Sequence, residues 1–256
     1  MNLVLEHFIR STKGAVTKEF DRKDIPLAFR GILKKKYIEE CFDINRTFYY
    51  IDTGYFGNYP SPGNPLGFKK WHRIIKNNLQ TSFLSFSYPR DRLDTLESSD
   101  SRLIWKGWKK TGRNILLVVP SEKPCKYYEI DKSQWLTDVC NEIKKHTDKN
   151  IIIREKTSRS ERVRKNTIYD AFDEDIFAVV TYNSIAAVES IAYGIPAFVL
   201  APSAAGIVSS SDLSKIETPH YPDEHLIEHW KRTLSYNQFT DNEIITGKAW
   251  SIINDH

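Results

Sequence analysis

Cysteine is scarce in this chain, and its spacing has no pattern. Three thiols, Cys41, Cys125 and Cys140, are spread through 256 residues with no CxxC pair. That excludes a disulfide framework or a thiolate zinc site and points to a reducing, cytoplasmic setting. Long hydrophobic runs are also missing: no stretch approaches bilayer-spanning length, so no membrane partner is expected. The opening residues, MNLVLEHFIRSTKG, lack the charged-then-apolar order of a signal peptide. GxGxxG, GxxxxGK[ST] and GxSxG are absent, which removes the commonest dinucleotide, P-loop and hydrolase patterns. Nor is charge of one sign in large excess; a net +4 does not demand a polyanionic partner.

What is present is a series of short apolar runs separated by polar or helix-patterned segments. Residues 25–29 form a weak strand candidate, with a helix expected over 31–41. Residues 47–51 and 114–119 are strong strand candidates, followed by 150–153, 176–180 and 197–200. Trp135, Leu136, Val139 and Ile143 give residues 133–145 a helical period. This alternation predicts an α/β chain with a mainly parallel sheet. Gly and Pro in YFGNYPSPGNPLG (55–67) predict a long loop. WKGWKKTGR (105–113) is the expected boundary between two halves, and Thr240-Asp241-Asn242-Glu243 is a capping box expected to open a last helix through Trp250.

In open α/β sheets, ligands bind beyond the carboxyl ends of the strands. That rule selects Ser121, Arg154 with Lys156, Asn183 with Ser184, and Ser203. The turn Thr181–Ser184 also opens a helix, whose free N–H groups and dipole suit a phosphate. Fixed cations beside oriented donors are what a diphosphate requires. Ser184 equally suits a plain N-cap, Arg154 and Lys156 a surface, and Glu189 a solvent-facing position. In the first half, Asp52 ends a strand beside Gly54 and the long loop. It can serve as a general base or cap a turn. Lys69, Lys70, Arg73, Lys76 and Arg90, interleaved with Trp71 and Tyr88, form either a groove for a polyanion or a solvated basic face. Asp173-Glu174-Asp175 precedes its strand, and His220, His225 and His229 have no partner fixed by spacing, so no metal site is expected.

Taken together, YYIDTGYFGN, RIIKNNLQ, GRNILLVVPS, IIIREK, TYNSIAAVESIAYGIPAFVLAPSAA, DLSKIETPHYPD and YNQFTDNEIITGKAW resemble the GT-B class of glycosyltransferases. Within that class they are similar to a tailed-phage group that glycosylates hydroxymethylated DNA bases. The resemblance implies two compact Rossmann-like halves facing a cleft. Residues 1–108 would form the acceptor side, 109–232 the donor side, and 233–256 a helix packing back across the first domain. It also implies a nucleotide-sugar substrate of UDP type, no required cofactor or metal, and location in the host cytoplasm if phage-encoded. The site residues would be Asp52 as base, with Ser121, Arg154, Lys156, Asn183, Ser184, Glu189 and Ser203 on the donor. Tyr55, Lys69, Lys70, Arg73, Lys76 and Arg90 would hold duplex DNA carrying hydroxymethylated pyrimidine, 5-hydroxymethylcytosine first. The alternatives are a glycan or other non-DNA acceptor, or a non-catalytic nucleotide-binding protein.

Overall fold

The computed structural model of the chain describes residues 2–17, 23–59, 71–81, 87–156 and 167–255. The chain is α/β and builds two four-stranded sheets. Strands β4 (Asn114–Val118), β5 (Asn150–Arg154), β6 (Ile176–Thr181) and β7 (Ala197–Val199) make the second sheet, in the order β5-β4-β6-β7 and wholly parallel. Alternation explains why these runs are apolar throughout. Leu116, Val118 and Val179 face one hydrophobic cluster, while Ile115, Leu117, Ala178 and Val180 face another on the opposite side. A parallel sheet with both faces covered needs apolar residues at every position.

The first sheet is mixed, in the order β1-β2-β3-β8: β1 (Leu27–Arg30) and β2 (Phe48–Thr53) run parallel, and β3 (Trp71–Lys76) and β8 (Gln238–Thr240) add antiparallel. Phe48 and Tyr50 point into the large cluster that also holds Leu116 and Val179 of the second sheet. Tyr49 and Ile51 point the other way, onto Phe8 of helix α1 (Leu3–Ser11) and onto Ile244 and Ala249 near the C-terminus. One continuous core therefore joins the two sheets.

Two features depart from the sequence pattern. Trp71–Lys76, read above as part of a basic stretch, is a central strand; Arg73 is buried in it beside the Asp52 carboxylate, and buried His72 has its Nε2 3.2 Å from Asp241 Oδ1. The C-terminal helix is broken in two, Asp241–Ile245 and Lys248–Asn254, by Gly247 at φ +81°. The Thr240–Glu243 capping box itself is present. A three-residue strand, β8, precedes it and gives the first sheet its fourth member.

The segment at 105–113, which precedes the second sheet, is pinned at Gly194, where Lys109 N donates to Gly194 O at 2.7 Å. Gly194 has φ +87°, and a Cβ there would strike the carbonyl oxygen of Gly107. Replacement by alanine adds left-handed strain to a backbone collision. Gly194→Ala is expected to lose about 1–3 kcal/mol of stability, read as a lower denaturation midpoint; an unchanged midpoint would show that the segment docks elsewhere.

Candidate functional site

Parallel pairing places the carboxyl ends of the second sheet in one row. Val118 is registered with Arg154 on one side and Thr181 on the other, and Thr181 with Val199. The seven residues selected from the sequence for this side lie beyond that row or near it. Ser121 caps the helix Glu122–Tyr128 without a side-chain hydrogen bond to it. Arg154 ends β5, and Lys156 is exposed two residues later. Ser184 is the N-cap of helix Ile185–Ala192, its Oγ accepting from Ala186 N at 3.2 Å. Ser203 Oγ accepts from Ala205 N at 3.2 Å.

The row has two ends, and they are not one pocket. Arg154 closes the β5 edge and Ser203 follows the β7 edge, three strands apart, or about 14 Å at normal strand spacing. A cavity of about 460 Å³ lies on the β7 side. Of the seven residues, Ser203 alone lines it. Arg154 is instead close enough to Glu189 to act on its charge. Glu189, expected to reach a ligand or solvent, is only 5% exposed. Burial pushes its pKa up to about 8, opposed by Arg102 and Arg154 and reinforced by Asp100. Asp100 and Arg102 form a side-chain pair at 2.7 Å, and the Arg102 guanidinium lies 4.0 Å from the Tyr169 ring centroid. The sequence reading missed this arginine, acid and tyrosine group, because Asp100 and Arg102 come from outside the strand–turn–helix units.

The first sheet carries a compact charged cluster of its own. Asp52 lies one residue before the end of β2 and accepts from Arg30 Nη1 at 2.6 Å, Tyr50 OH at 2.8 Å and Thr53 N at 2.8 Å. Arg73 Nη2 stands 3.6 Å from its second oxygen. The Arg73 guanidinium lies 5.5 Å from the centroids of both Tyr50 and Tyr55. Burial would raise the Asp52 pKa, but Arg73, Arg30 and the Thr53 N–H outweigh it and hold it at about 2. The carboxylate is therefore ionised throughout the neutral range while remaining one-third exposed. Arg30, absent from the sequence selection, makes its shortest ion pair; the parallel register Arg30↔Ile51 puts it there.

The two sides touch through aromatic and amide groups. Tyr55 is buried and its hydroxyl donates to Gln80 O. Tyr128, the last residue of the helix Glu122–Tyr128, packs its ring 5.4 Å from that of Tyr182, lies near the Gln80 and Asn183 side chains and feels the charge of Arg73. This chain of contacts links the Asp52 cluster to the turn at 183–184. The remaining basic residues are dispersed. Lys76 is half-buried in β3 opposite Tyr49, and Arg90 is held by Asp94, Glu97 and Glu228. Lys69 and Lys70 lie outside the described residues, as does the loop from residue 60 to 67.

No protein-family model matches the sequence, and no curated protein matches it either. Solved structures do. A β-Kdo 2,7 transferase of Thermosulfurimonas dismutans KpsC is 11% identical with a TM-score of 0.52, covering 99% of this chain and 97% of that one. A β-Kdo 2,4 transferase of the same KpsC is 10% identical with a TM-score of 0.50, covering 90% and 86%. At this identity the likeness is one of fold: the chain has the GT-B-like α/β fold of these glycosyltransferases. Among the described residues, no helix is long and apolar enough to cross a membrane and no group of three metal-ligating side chains converges.

Glu189 sets a pH signature. A carboxyl whose folded pKa is raised contributes most at low pH, and that contribution is lost as pH climbs from its ordinary 4.5 to about 8. Glu189→Gln is therefore expected to gain stability relative to the parent across that interval and to level off above it. Parallel melting-temperature profiles for the two proteins would show that Glu189 is not desolvated in solution.

Proposed function

We propose that the chain is a glycosyltransferase that takes a sugar from a nucleotide-sugar donor, of UDP type, to a hydroxyl acceptor held in the cleft. The reading is carried by one juxtaposition on a glycosyltransferase-like fold: the ionised carboxylate of Asp52 is paired with Arg73, whose charge reaches Tyr128 near the turn at the carboxyl end of β6. Arg154 and Lys156 would take the phosphates, with donors from Asn183, Ser184 and the helix that they open. Ser121 would line the nucleotide pocket. In transfer, the bond between the sugar's anomeric carbon and the phosphate oxygen breaks with its electron pair on the leaving phosphate. The acceptor oxygen bonds to that carbon and yields its proton to the Asp52 carboxylate. A base with a pKa of about 2 is weak, so an acceptor that draws Arg30 off the carboxylate would raise its basicity.

For the acceptor, a carbohydrate is the better reading. Arg73 and Arg90, two of the residues considered for DNA phosphates, spend their charge on Asp52 and on three further carboxylates. The sequence resemblance supports the second reading, the hydroxymethyl group of a modified pyrimidine, first 5-hydroxymethylcytosine, in duplex DNA. DNA binding of that kind would fall steeply with salt. Residues 1–108 and 109–232 would then serve as the acceptor and donor sides, with 233–256 buttressing the first.

The test offers UDP-sugars, and a nucleotide-linked Kdo as in the neighbours' names, with two acceptor sets. One set is oligosaccharides; the other is duplexes carrying cytosine, 5-hydroxymethylcytosine or 5-hydroxymethyluracil. Mass gain on an oligosaccharide is expected, with Asp52→Asn slower by about 10²–10⁴-fold. Mass gain confined to hydroxymethylated DNA would establish the second reading. Full activity in Asp52→Asn would remove it as the base, and no transfer from any donor would sink both.

A further inference from the structure

The cavity of about 460 Å³ on the β7 side has a chemistry of its own. Asn78, Gln80 and Thr81 reach it from the first half, and four serines, at 203 and 209–211, from the second. Val199, Leu200 and Pro202 supply apolar surface. Among the described residues, none that lines it is Asp, Glu, Lys, Arg or His. These residues have no fixed charge to offset a phosphate or a carboxylate, so the ligand they fit is neutral.

Three of its polar side chains are also placed to donate. Asn78 Oδ1 already accepts from Leu79 N at 2.7 Å and Gln80 N at 2.9 Å, which leaves the two N–H of its carboxamide. Ser203 Oγ accepts from Ala205 N, and Ser210 Oγ from Asp212 N, both at 3.2 Å, so each hydroxyl retains its own proton. Local backbone bonds thus fix three donors in space before any ligand arrives. Neutral donors beside apolar walls, in a volume within the roughly 300–1,000 Å³ of small-molecule sites, match a ring that carries hydroxyls at its rim and C–H groups on its face.

We propose that this cavity binds an uncharged sugar ring, with Asn78, Ser203 and Ser210 as its hydrogen-bond donors, apart from the phosphate-directed residues at the β5 edge. The assignment rests on the glycosyltransferase reading for its role, but its binding chemistry is testable without it. The ring can come from the donor or from the acceptor, and the two sources separate experimentally.

Gly206 provides the probe. It lines the cavity, and a Cβ added there meets nothing within 4 Å, so Gly206→Trp sets a bulky ring at the cavity wall without a backbone clash. Binding of glucose, galactose, N-acetylglucosamine and a neutral oligosaccharide, with glucuronate and glucosamine as charged counterparts, is followed by ligand-observed NMR. Melting temperature reports folding, and Ser211→Trp, at an exposed lining position, is the second blocking variant. At least one neutral sugar is expected to bind better than either charged counterpart, and to lose roughly tenfold or more in each folded variant. Loss of affinity for a UDP-sugar down to that for UDP would assign the ring to the donor. Loss for the free oligosaccharide alone would assign it to the acceptor. Failure of every neutral sugar to bind, charged sugars binding as well, or undiminished binding in both variants each overturns the proposal. Sugar binding without any nucleotide binding would instead retain the cavity assignment and fail the transferase reading.

Discussion

The cleft depends on charge compensation at Asp52. A guanidinium such as Arg73, only 8% exposed in its side chain, cannot be buried in a central strand without an opposing charge. Asp52, reached across the antiparallel pair as Asp52↔Arg73, supplies it, and Arg30 from the parallel neighbour completes the cluster. Two cations share one carboxylate, and Tyr50 and Tyr55 take up part of the excess with their ring faces. What results is a wall of the cleft in which every hydrogen-bonding direction of the carboxylate is set by strand register.

The C-terminal segment keeps that wall in place. Gln238 of β8 is fully buried, and its Oε1 accepts from Tyr55 N at 2.7 Å and Phe56 N at 3.0 Å. The residues just after β2 are thereby held against a strand that comes from the other end of the chain. Arg92 reinforces the return by donating to Ser235 O at 2.9 Å and Gln238 O at 2.6 Å, and by pairing with Glu243 at 2.5 Å. Buried Lys231 does the same between helices, meeting Glu97 at 2.6 Å and Leu103 O at 2.5 Å. Such groups stabilise only when satisfied together; removal of one partner leaves an uncompensated charge.

Across the cleft the logic is geometric instead of electrostatic. Parallel strands with aligned ends deliver loops to one edge, so the second sheet offers a row of positions with graded chemistry. Cations stand at the β5 end, a helix N-terminus in the middle, and neutral hydroxyls and amides at the β7 end. On the proposed reading, the charged and the uncharged parts of one ligand each take a place along that row. Glu189, desolvated beside Arg102, Asp100 and Arg154, sits beneath it as a carboxyl that retains its proton to about pH 8.

The α/β class, the strands at 114–118 and 176–181 and the Thr240 cap were legible in the residues, because apolar run length, turn chemistry and capping are local properties. Asp52 and Ser203 were legible as candidates for the same reason: a strand end followed by Gly or Ser announces itself. The partners of those residues were not. Arg30 beside Asp52, Arg102 near Glu189 and Asn78 in one cavity with Ser203 are set by strand order and by long-range packing, which no local pattern encodes. The strand Trp71–Lys76 was hidden because its charges are compensated in space and not in sequence, and β8 because three residues carry too little periodicity. Local chemistry determined which side chains could act; only tertiary contact decided which of them are already neutralised, which share a cavity, and which stand three strands apart.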